Sequence, residues 1–240
     1  MSSTSAGRYT RLLSEELAPW LLSEGYQVSP SRSGDDDELR FSARVPSFPQ
    51  LTKVIDIFVE PLRDWMGLSA FARVVSSEAG EVIGGLPESA QLSDWADPRA
   101  ELGLVELDGF DSLITMGPYG AFALLDEASV PGSVERVLEG VNGAVGEWFS
   151  QRDDVTKLLG LAKYPTRPSV DQEIPNAKRL RATVVLCLLT DRFGDAAGLM
   201  GWYLGTGRFS VFDSFDRASE FDGALRERFP GYAEARALIG

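Results

Sequence analysis

The chain has 240 residues, of which 44% are hydrophobic and 25% are charged, and its formal net charge is −13. This composition is typical of a folded globular protein and excludes a chain that is disordered throughout, while the negative charge argues against binding to a nucleic-acid backbone. The chain contains no histidine, which excludes Ser-His-Asp and Cys-His nucleophile systems, an imidazole general base and a histidine zinc site.

The first part of the chain predicts a helix followed by a sheet. Residues 9–24 place leucines at helical spacing and predict an amphipathic helix, on whose apolar face Trp20 is expected to be part of the core. Residues 38–45 alternate between apolar and polar side chains, which is typical of an antiparallel strand with one buried and one solvent-exposed face. Apolar composition predicts two further strands, over 53–60 and 68–75.

Beyond residue 131 the apolar residues recur every three or four positions, which predicts a helical region. The longest helix is predicted over 134–149, with Ser133 as its N-cap and Trp148 in the core. Three glycines are regularly spaced in this helix, and we expect them to form a bare strip against which another backbone packs: Gly140, Gly143 and Gly146. Shorter helices follow over 154–161, 176–189, 196–204 and 213–228.

These patterns predict an α+β fold, in which an N-terminal helix and a mainly antiparallel sheet are followed by a C-terminal helical subdomain. The change of pattern places the boundary at residue 130, so that residues 1–130 form the sheet subdomain and residues 131–240 the helical one. The length is compatible with one extended domain or with two closely packed subdomains, and the sequence leaves the oligomeric state open.

Negative charge is concentrated in the segment 81–130, which holds ten acidic residues against one arginine. The segment begins in a region, 76–98, that its glycines and prolines predict to be irregular, and Asp108-Gly109 predicts a hairpin. Trp95 lies among acids, where an exposed aromatic is typical of an interface anchor; the alternatives are a plug over the sheet and a solvated acidic face. Because a basic protein surface would be steered to such a patch, the candidate partner-binding residues are Asp94, Trp95, Asp97, Asp108 and Asp111.

A second set of candidates lies on the predicted strands. Arg40, Arg44 and Arg73 are placed to hold an anionic ligand through paired hydrogen bonds. Asp56 is the candidate for a perturbed carboxylate because residues typical of a strand surround it, and the alternative is that it points to the solvent-exposed face. These four residues define a possible ligand-binding site between the sheet and the helices.

Motifs for cofactors and metals are missing from the sequence. There is no P-loop and no second cysteine, and the acidic run 35–38 lacks the ligand spacing of an EF-hand. Cys187 lies in a continuous apolar run, which predicts a buried and inert thiol. The N-terminus lacks the features of a secretory signal, and no apolar run approaches the ~20 residues of a membrane helix. We therefore predict no cofactor, no metal, no membrane or nucleic-acid contact, and a cytoplasmic location.

The order of elements is similar to that of a group of uncharacterised bacterial α+β domains, some of which are grouped with toxin-immunity proteins. The resemblance is carried by four features: the helix that ends at Gly25-Tyr26, the strand at Leu39, the strand 54–58 and the helix 134–149. It covers about the first two-thirds of the chain and supplies no catalytic residues. The resemblance implies an α+β fold and favours a binding role.

Two main hypotheses follow for the function. The first is a non-enzymatic acidic binding protein, in concrete form an immunity-type or regulatory inhibitor of a basic protein partner. The second is a small-molecule binder or a carboxylate-based enzyme, with its pocket between the sheet and the helices. A structural subunit that uses the glycine strip as a helix contact is a third, simpler alternative. The absence of histidine favours the first hypothesis over an enzyme.

Overall fold

The computed structural model describes residues 2–29, 38–61, 66–93, 100–106, 122–124, 126–164 and 174–239. The strands in these ranges are β1 (Gln27–Ser29), β2 (Glu38–Val45), β3 (Phe48–Pro61), β4 (Met66–Ser76), β5 (Ala100–Glu106) and β6 (Phe122–Leu124). The α-helices are α1 (Ser2–Ser23), α2 (Ser77–Gly84), α3 (Val130–Gly140), α4 (Gly146–Ser150), α5 (Val155–Ala162), α6 (Ala177–Leu189), α7 (Phe193–Thr206), α8 (Phe215–Arg228) and α9 (Pro230–Ile239). Among the described ranges, no helix combines the length and the apolar character that crossing a membrane requires.

The predicted fold class is confirmed. An N-terminal helix precedes a sheet with the strand order β1-β2-β3-β4-β5, in which β6 also pairs with β4. The pairs β1–β2, β2–β3 and β4–β6 are antiparallel. The described chain from α5 onward contains helices and their connections. The three strands predicted from 38 to 75 and the helices predicted from 154 to 228 are all present, with ends that differ by a few residues.

The chain packs as two compact units. The first unit comprises Met1–Val74 and Leu104–Ser150, and the second comprises Val75–Gly103 and Gln151–Gly240. This division differs from the predicted boundary at residue 130. The reason lies in the packing of two helices, since α3 packs against α1 within the first unit and α2 packs against α6 within the second. Each unit is therefore built from two separate stretches of sequence.

The core of the first unit lies between α1 and the sheet. Leucines recur every four residues along the buried face of α1, and three of them are fully buried: Leu13, Leu17 and Leu21. The helix packs against β1, β2 and β3, where Ile55 and Ile57 are also fully buried. Each such side chain contributes about 1.5–3 kcal/mol relative to an exposed one. Phe41 and Val45, which belong to the apolar set of the alternating strand β2, are buried as well.

The region predicted to be irregular contains a helix, α2. Ser76 caps this helix by accepting a hydrogen bond from the backbone N–H of Ala79. Three apolar residues at helical spacing form its buried face: Ala79, Val82 and Ile83. The helix was not predicted because glycines lie within and directly after these eight residues, and each glycine destabilises a helix by ~1 kcal/mol relative to alanine. Tertiary burial of the apolar face outweighs that cost here.

The long helix predicted from Ser133 begins earlier and is interrupted. A 3₁₀ turn that Asp126 caps through Ser129 leads into α3 at Val130, and the Ser133 hydroxyl donates to the Ser129 carbonyl instead of capping the helix. The π-helical segment Val141–Val145 then joins α3 to α4. The predicted N-cap is wrong because Pro131 at the first turn marks the true start.

The second unit is a helical assembly centred on α6. Every residue of α6 from Arg179 to Leu188 is buried, since α2, α5 and α7 all pack against it. This all-round burial explains the continuous apolar run in the sequence, which lacks the alternation of a surface helix. The sequence offers Asp153 or Asp154 as the cap of α5 and Asn176 as the cap of α6. Asp154 caps α5 and Asn176 caps α6, each by accepting a hydrogen bond from a backbone N–H in the first turn. Helix α9 packs against both α7 and α8.

Alkaline pH is expected to destabilise the second unit through Cys187. Burial raises the pKa of this thiol from 9.0 to about 12. Because the pKa is higher in the folded state, the thiol's contribution to stability is complete below about pH 9 and is lost as the pH rises towards 12. Cys187→Ala should therefore flatten the fall in the free energy of unfolding above pH 9 by about 1.4 kcal/mol per pH unit, as measured by urea denaturation. The difference between the two proteins at pH 7 corrects for the lost side-chain volume, and an unchanged slope would contradict the prediction.

Candidate functional site

The candidate partner-binding residues fall outside the part of the chain that the structure describes. Asp94, Trp95, Asp97, Asp108 and Asp111 all lie in the intervals 94–99 and 107–121. Other acids of the segment 81–130 are described. Glu81 and Glu88 are exposed, whereas Glu127 forms an ion pair with Arg8.

The second set of candidates is only partly brought together. Asp56 on β3 lies directly opposite Arg40 on β2, and its Oδ1 accepts a hydrogen bond of 2.5 Å from Arg40 Nε. Its Oδ2 pairs with Arg73 Nη2 on β4. Arg40 Nη2 also donates to Glu38 Oε1 at 2.7 Å. Arg44, four residues after Arg40 on the same face of β2, is exposed and is not part of this cluster.

This sheet cluster is a buried network rather than a solvent-exposed face. Asp56 is 1% exposed, and Glu38, Arg40 and Arg73 are each 5–6% exposed. Two carboxylates and two guanidinium groups offset each other's charge, which is the condition under which burial of ions is tolerated. The prediction that this face of β2 is solvent-exposed is therefore wrong at Glu38 and Arg40. The cluster links neighbouring strands through buried ion pairs, because both oxygens of Asp56 already contact arginines on β2 and β4.

A second buried carboxylate, Asp213, forms an ion pair with Arg181. Among the described residues, Arg181 is the only arginine that is 0% exposed. Arg181 donates to both oxygens of Asp213, at 3.0 and 2.5 Å, and to the Ala90 carbonyl at 2.5 Å. The Tyr203 hydroxyl donates to Asp213 Oδ2 at 2.7 Å, and burial raises the pKa of this phenol. The guanidinium also lies over the ring of Phe221, 4.6 Å from its centroid. All of these groups belong to the second unit.

A third buried carboxylate, Asp222, joins α8 to α9. It accepts hydrogen bonds from the Tyr232 hydroxyl at 2.5 Å and from Arg236 Nε at 3.1 Å, and it pairs with Arg226. Gly201 on α7 leaves room for this cluster, since a Cβ there would lie 3.1 Å from Arg236 Nη1. Like the other two carboxylates, Asp222 is surrounded by donors. None of the three therefore has a geometry suited to proton transfer with a substrate.

A groove of about 670 Å³ in the first unit is the candidate site that the sequence did not reveal. It lies between α1 and α3, which pack against each other. Trp20 of α1 lines one side and is half-buried instead of lying in the core as predicted. Val134 and Leu138 of α3 line the other side, together with Pro131 in the first turn of that helix. Trp148, by contrast, is buried as predicted. The groove thus has an apolar lining that is open to solvent.

Three glutamates border this apolar lining: Glu16 on α1, and Glu135 and Glu139 on α3. All three are exposed, and none forms an ion pair with another residue that the structure describes. The described chain contains no group of three or more potential metal-ligating side chains. Carboxylates beside low-dielectric walls concentrate a negative potential, which attracts a cationic ligand. We refer to this feature as the acidic groove.

The π-helical segment forms one end of the acidic groove. Asn142 and Gly143 both line it and are exposed. Gly143 has φ −91° and ψ −109°, which interrupts the helical backbone between α3 and α4. A Cβ at Gly143 would meet no atom within 4 Å, so the prediction that the glycines form a strip for close backbone packing is wrong at this residue. Single-turn π segments are frequent at functional sites in other proteins, which agrees with the position of this one.

A local signal for the acidic groove was present in the sequence. Glu135 and Glu139 are four residues apart. Val134 directly precedes Glu135, and Leu138 directly precedes Glu139. On a helix this spacing places an acidic row beside an apolar row. The pairing of that face with α1 depends on contacts more than 100 residues apart in the chain, which no local pattern contains. Comparison of the whole chain with protein-family models, curated proteins and solved structures finds no match.

Proposed function

We propose that this protein is a non-enzymatic binding protein whose acidic groove holds a basic segment of a protein partner. An immunity-type or regulatory inhibitor of a basic protein is the concrete form of this function. The observation that carries the proposal is the acidic groove itself, where three glutamates that form no ion pair with any described residue border an apolar lining. An apolar centre with a charged rim is the usual anatomy of a protein-recognition site.

The buried carboxylates support a binding role over a catalytic one. Asp56, Asp213 and Asp222 each accept from at least one arginine, and Asp213 and Asp222 also accept from a tyrosine hydroxyl. A catalytic carboxylate must be within hydrogen-bond reach of a substrate proton. These three instead accept hydrogen bonds from, or form ion pairs with, buried side chains of the protein.

The distribution of charge over the sequence supports a basic partner. The segment 81–130 has ten acidic residues against one arginine, and the whole chain has a net charge of −13. Such a field increases the rate at which a cationic protein encounters the surface, and its effect weakens as salt screens it. The groove then supplies the specific contacts that a diffuse field lacks.

Neutralising the three groove glutamates together is expected to weaken binding of basic segments by about tenfold, because each rim pair contributes about 0.2–1 kcal/mol. The probe is a displayed library of random 16-residue peptides selected on the wild-type protein at low salt. We expect enriched sequences to combine Lys or Arg with Leu, Ile or Phe. Individual peptides are then titrated by calorimetry against the wild type and the variant Glu16→Gln/Glu135→Gln/Glu139→Gln.

The matched control carries the same change in charge away from the groove. Glu24, Glu60 and Glu147 are exposed glutamates of the first unit that do not line the groove. The variant Glu24→Gln/Glu60→Gln/Glu147→Gln should retain most of the affinity. Enrichment of sequences without basic residues, or an equal loss in both triple variants, would contradict the proposed site.

A further inference from the structure

We infer that the segment held in the acidic groove is an amphipathic α-helix with two basic residues one turn apart. This inference rests on the proposed function and names the class of partner that the groove fits. It follows from the arrangement of Glu135 and Glu139 and from the backbone that forms the walls. The partner is described by its chemistry: a cationic helix with an apolar face.

The lining residues of α3 belong to one face of that helix. They recur at intervals of three, one, three and one residues: Pro131, Val134, Glu135, Leu138 and Glu139. Asn142, in the π-helical segment that follows, lines the groove three residues further along the chain. Glu135 and Glu139 are thus stacked one turn apart, with Cβ atoms about 5–6 Å from each other. A helical partner that runs along α3 repeats its own side chains at about the same rise of 5.4 Å per turn. Lys or Arg at positions i and i+4 of the partner therefore match the two carboxylates.

The walls of the groove favour a helix over an extended peptide. An extended segment exposes the backbone N–H and C=O groups along its length, and these need partners wherever the segment is buried. Such partners are available at the edge of a sheet, but the walls here are α1 and α3. Away from Pro19 of α1, which lacks an N–H, and from the helix ends, their backbone groups bond within each helix. The apolar side chains of Val134 and Leu138 offer no hydrogen bonds. A helix satisfies its own backbone and presents only side chains to the groove.

The apolar face of the partner has a defined place beside its basic row. Trp20 is half-buried and belongs to a different helix from Leu138, so the two side chains line opposite walls. A helix that packs between α1 and α3 at the usual interaxial distance of 8–10 Å places a Leu or Phe against them. Glu16 on α1 lies four residues before Trp20, and offers a third carboxylate on the opposite wall. The arrangement resembles the general mode in which an amphipathic helix binds between two others.

Three synthetic peptides of identical length test this inference against the intact protein. The first is a 16-residue Ala/Leu helix with Lys at positions i and i+4 beside its Leu face. The second has one Lys moved so that the two are at i and i+2, on opposite sides of the helix. The third is the first peptide with a central Ala replaced by Pro, which disfavours the helix by ~3 kcal/mol. Fluorescence anisotropy gives the affinity, and circular dichroism reports the helix content gained on binding.

We expect the first peptide to bind about tenfold more tightly than the second or the third, and to gain helix content on binding. Glu135→Gln and Glu139→Gln should each weaken binding of the first peptide by about threefold. Glu147→Gln is the matched control, because Glu147 is exposed on α4 outside the groove, and it should leave the affinity unchanged. Circular dichroism of each free variant verifies that the fold is retained.

Two results would overturn the inference in distinguishable ways. If the Pro-containing peptide binds as tightly as the first, and both depend on Glu135 and Glu139, the partner is an extended basic segment; the helix inference fails while the proposed function stands. If no peptide depends on the glutamates, both fail. A third result would also overturn the inference: the first and second peptides bind with equal affinity, and both gain helix content. The two lysines would then not need to be one turn apart to match Glu135 and Glu139.

Discussion

Replacing Asp213 by asparagine is expected to lower the free energy of unfolding by about 3–5 kcal/mol. The substitution keeps the shape of the side chain and removes its charge. Arg181 is fully buried, and Asp213 is the acid with which it forms a two-oxygen ion pair. Burial lowers the pKa of this guanidinium, and the charge of Asp213 acts in the opposite direction. Without the carboxylate, the cation stays buried with only neutral acceptors, which is the costly arrangement.

The magnitude follows from where the pair lies in the second unit. Arg181 projects from the central helix α6 and links it to the Ala90 carbonyl and to the residue before the cap of α8, so its loss of a partner affects several elements. Urea denaturation of the wild type and Asp213→Asn measures the effect. Asp216→Asn is the matched control, because Asp216 is exposed in the first turn of α8 and should cost less than about 1 kcal/mol.

A compensating substitution separates the two possible causes of that loss. If the cost comes from an unpaired cation, Arg181→Met combined with Asp213→Asn should recover part of the stability, because an apolar chain of similar length needs no counter-ion. If the double variant is less stable than Asp213→Asn alone, the packing and carbonyl contacts of Arg181 dominate. A loss below about 1 kcal/mol in Asp213→Asn would contradict the importance of the ion pair altogether.

Elements specified by neighbouring residues could be predicted from the sequence. The alternation in β2 correctly identified a strand, and its apolar residues Phe41 and Val45 are buried. The caps Asp154 and Asn176 act on backbone groups three residues away, so their role is visible in a short window of sequence. Such features depend on local backbone geometry, which the residue types largely determine.

Features specified by distant residues could not be predicted in this way. Arg40 has the residue type and position of a solvent-exposed side chain, and only the register that places Asp56 opposite it explains its burial. The acidic groove has the same origin, since it exists only where α3 packs against α1. The spacing of Glu135 and Glu139 in the sequence is that of residues on one helix face. It contains no information about the second helix, which is needed to form a groove.

Substituting Asp56 is the experiment that connects stability with the two functional hypotheses. Asp56→Asn should lower the free energy of unfolding by about 3–5 kcal/mol, because two buried guanidinium groups lose their shared counter-ion. Glu60→Gln, an exposed change on the same strand, is the matched control and should be within about 0.5 kcal/mol of the wild type. Both values come from urea denaturation at pH 7.

The same variant tests whether Arg40 and Arg73 form a ligand site. If their role is structural, Asp56→Asn loses stability and small anions such as sulfate or succinate restore little of it. The alternative is that the arginines form an anion site that Asp56 occupies in the free protein. In that case anions should stabilise Asp56→Asn, and its free energy of unfolding should rise with the logarithm of anion concentration once that concentration exceeds the dissociation constant. That second outcome would favour the small-molecule hypothesis over the acidic groove. All three residues are less than 7% exposed. We therefore expect the first outcome, since an anion would have to replace a carboxylate already within 2.5 Å of Arg40.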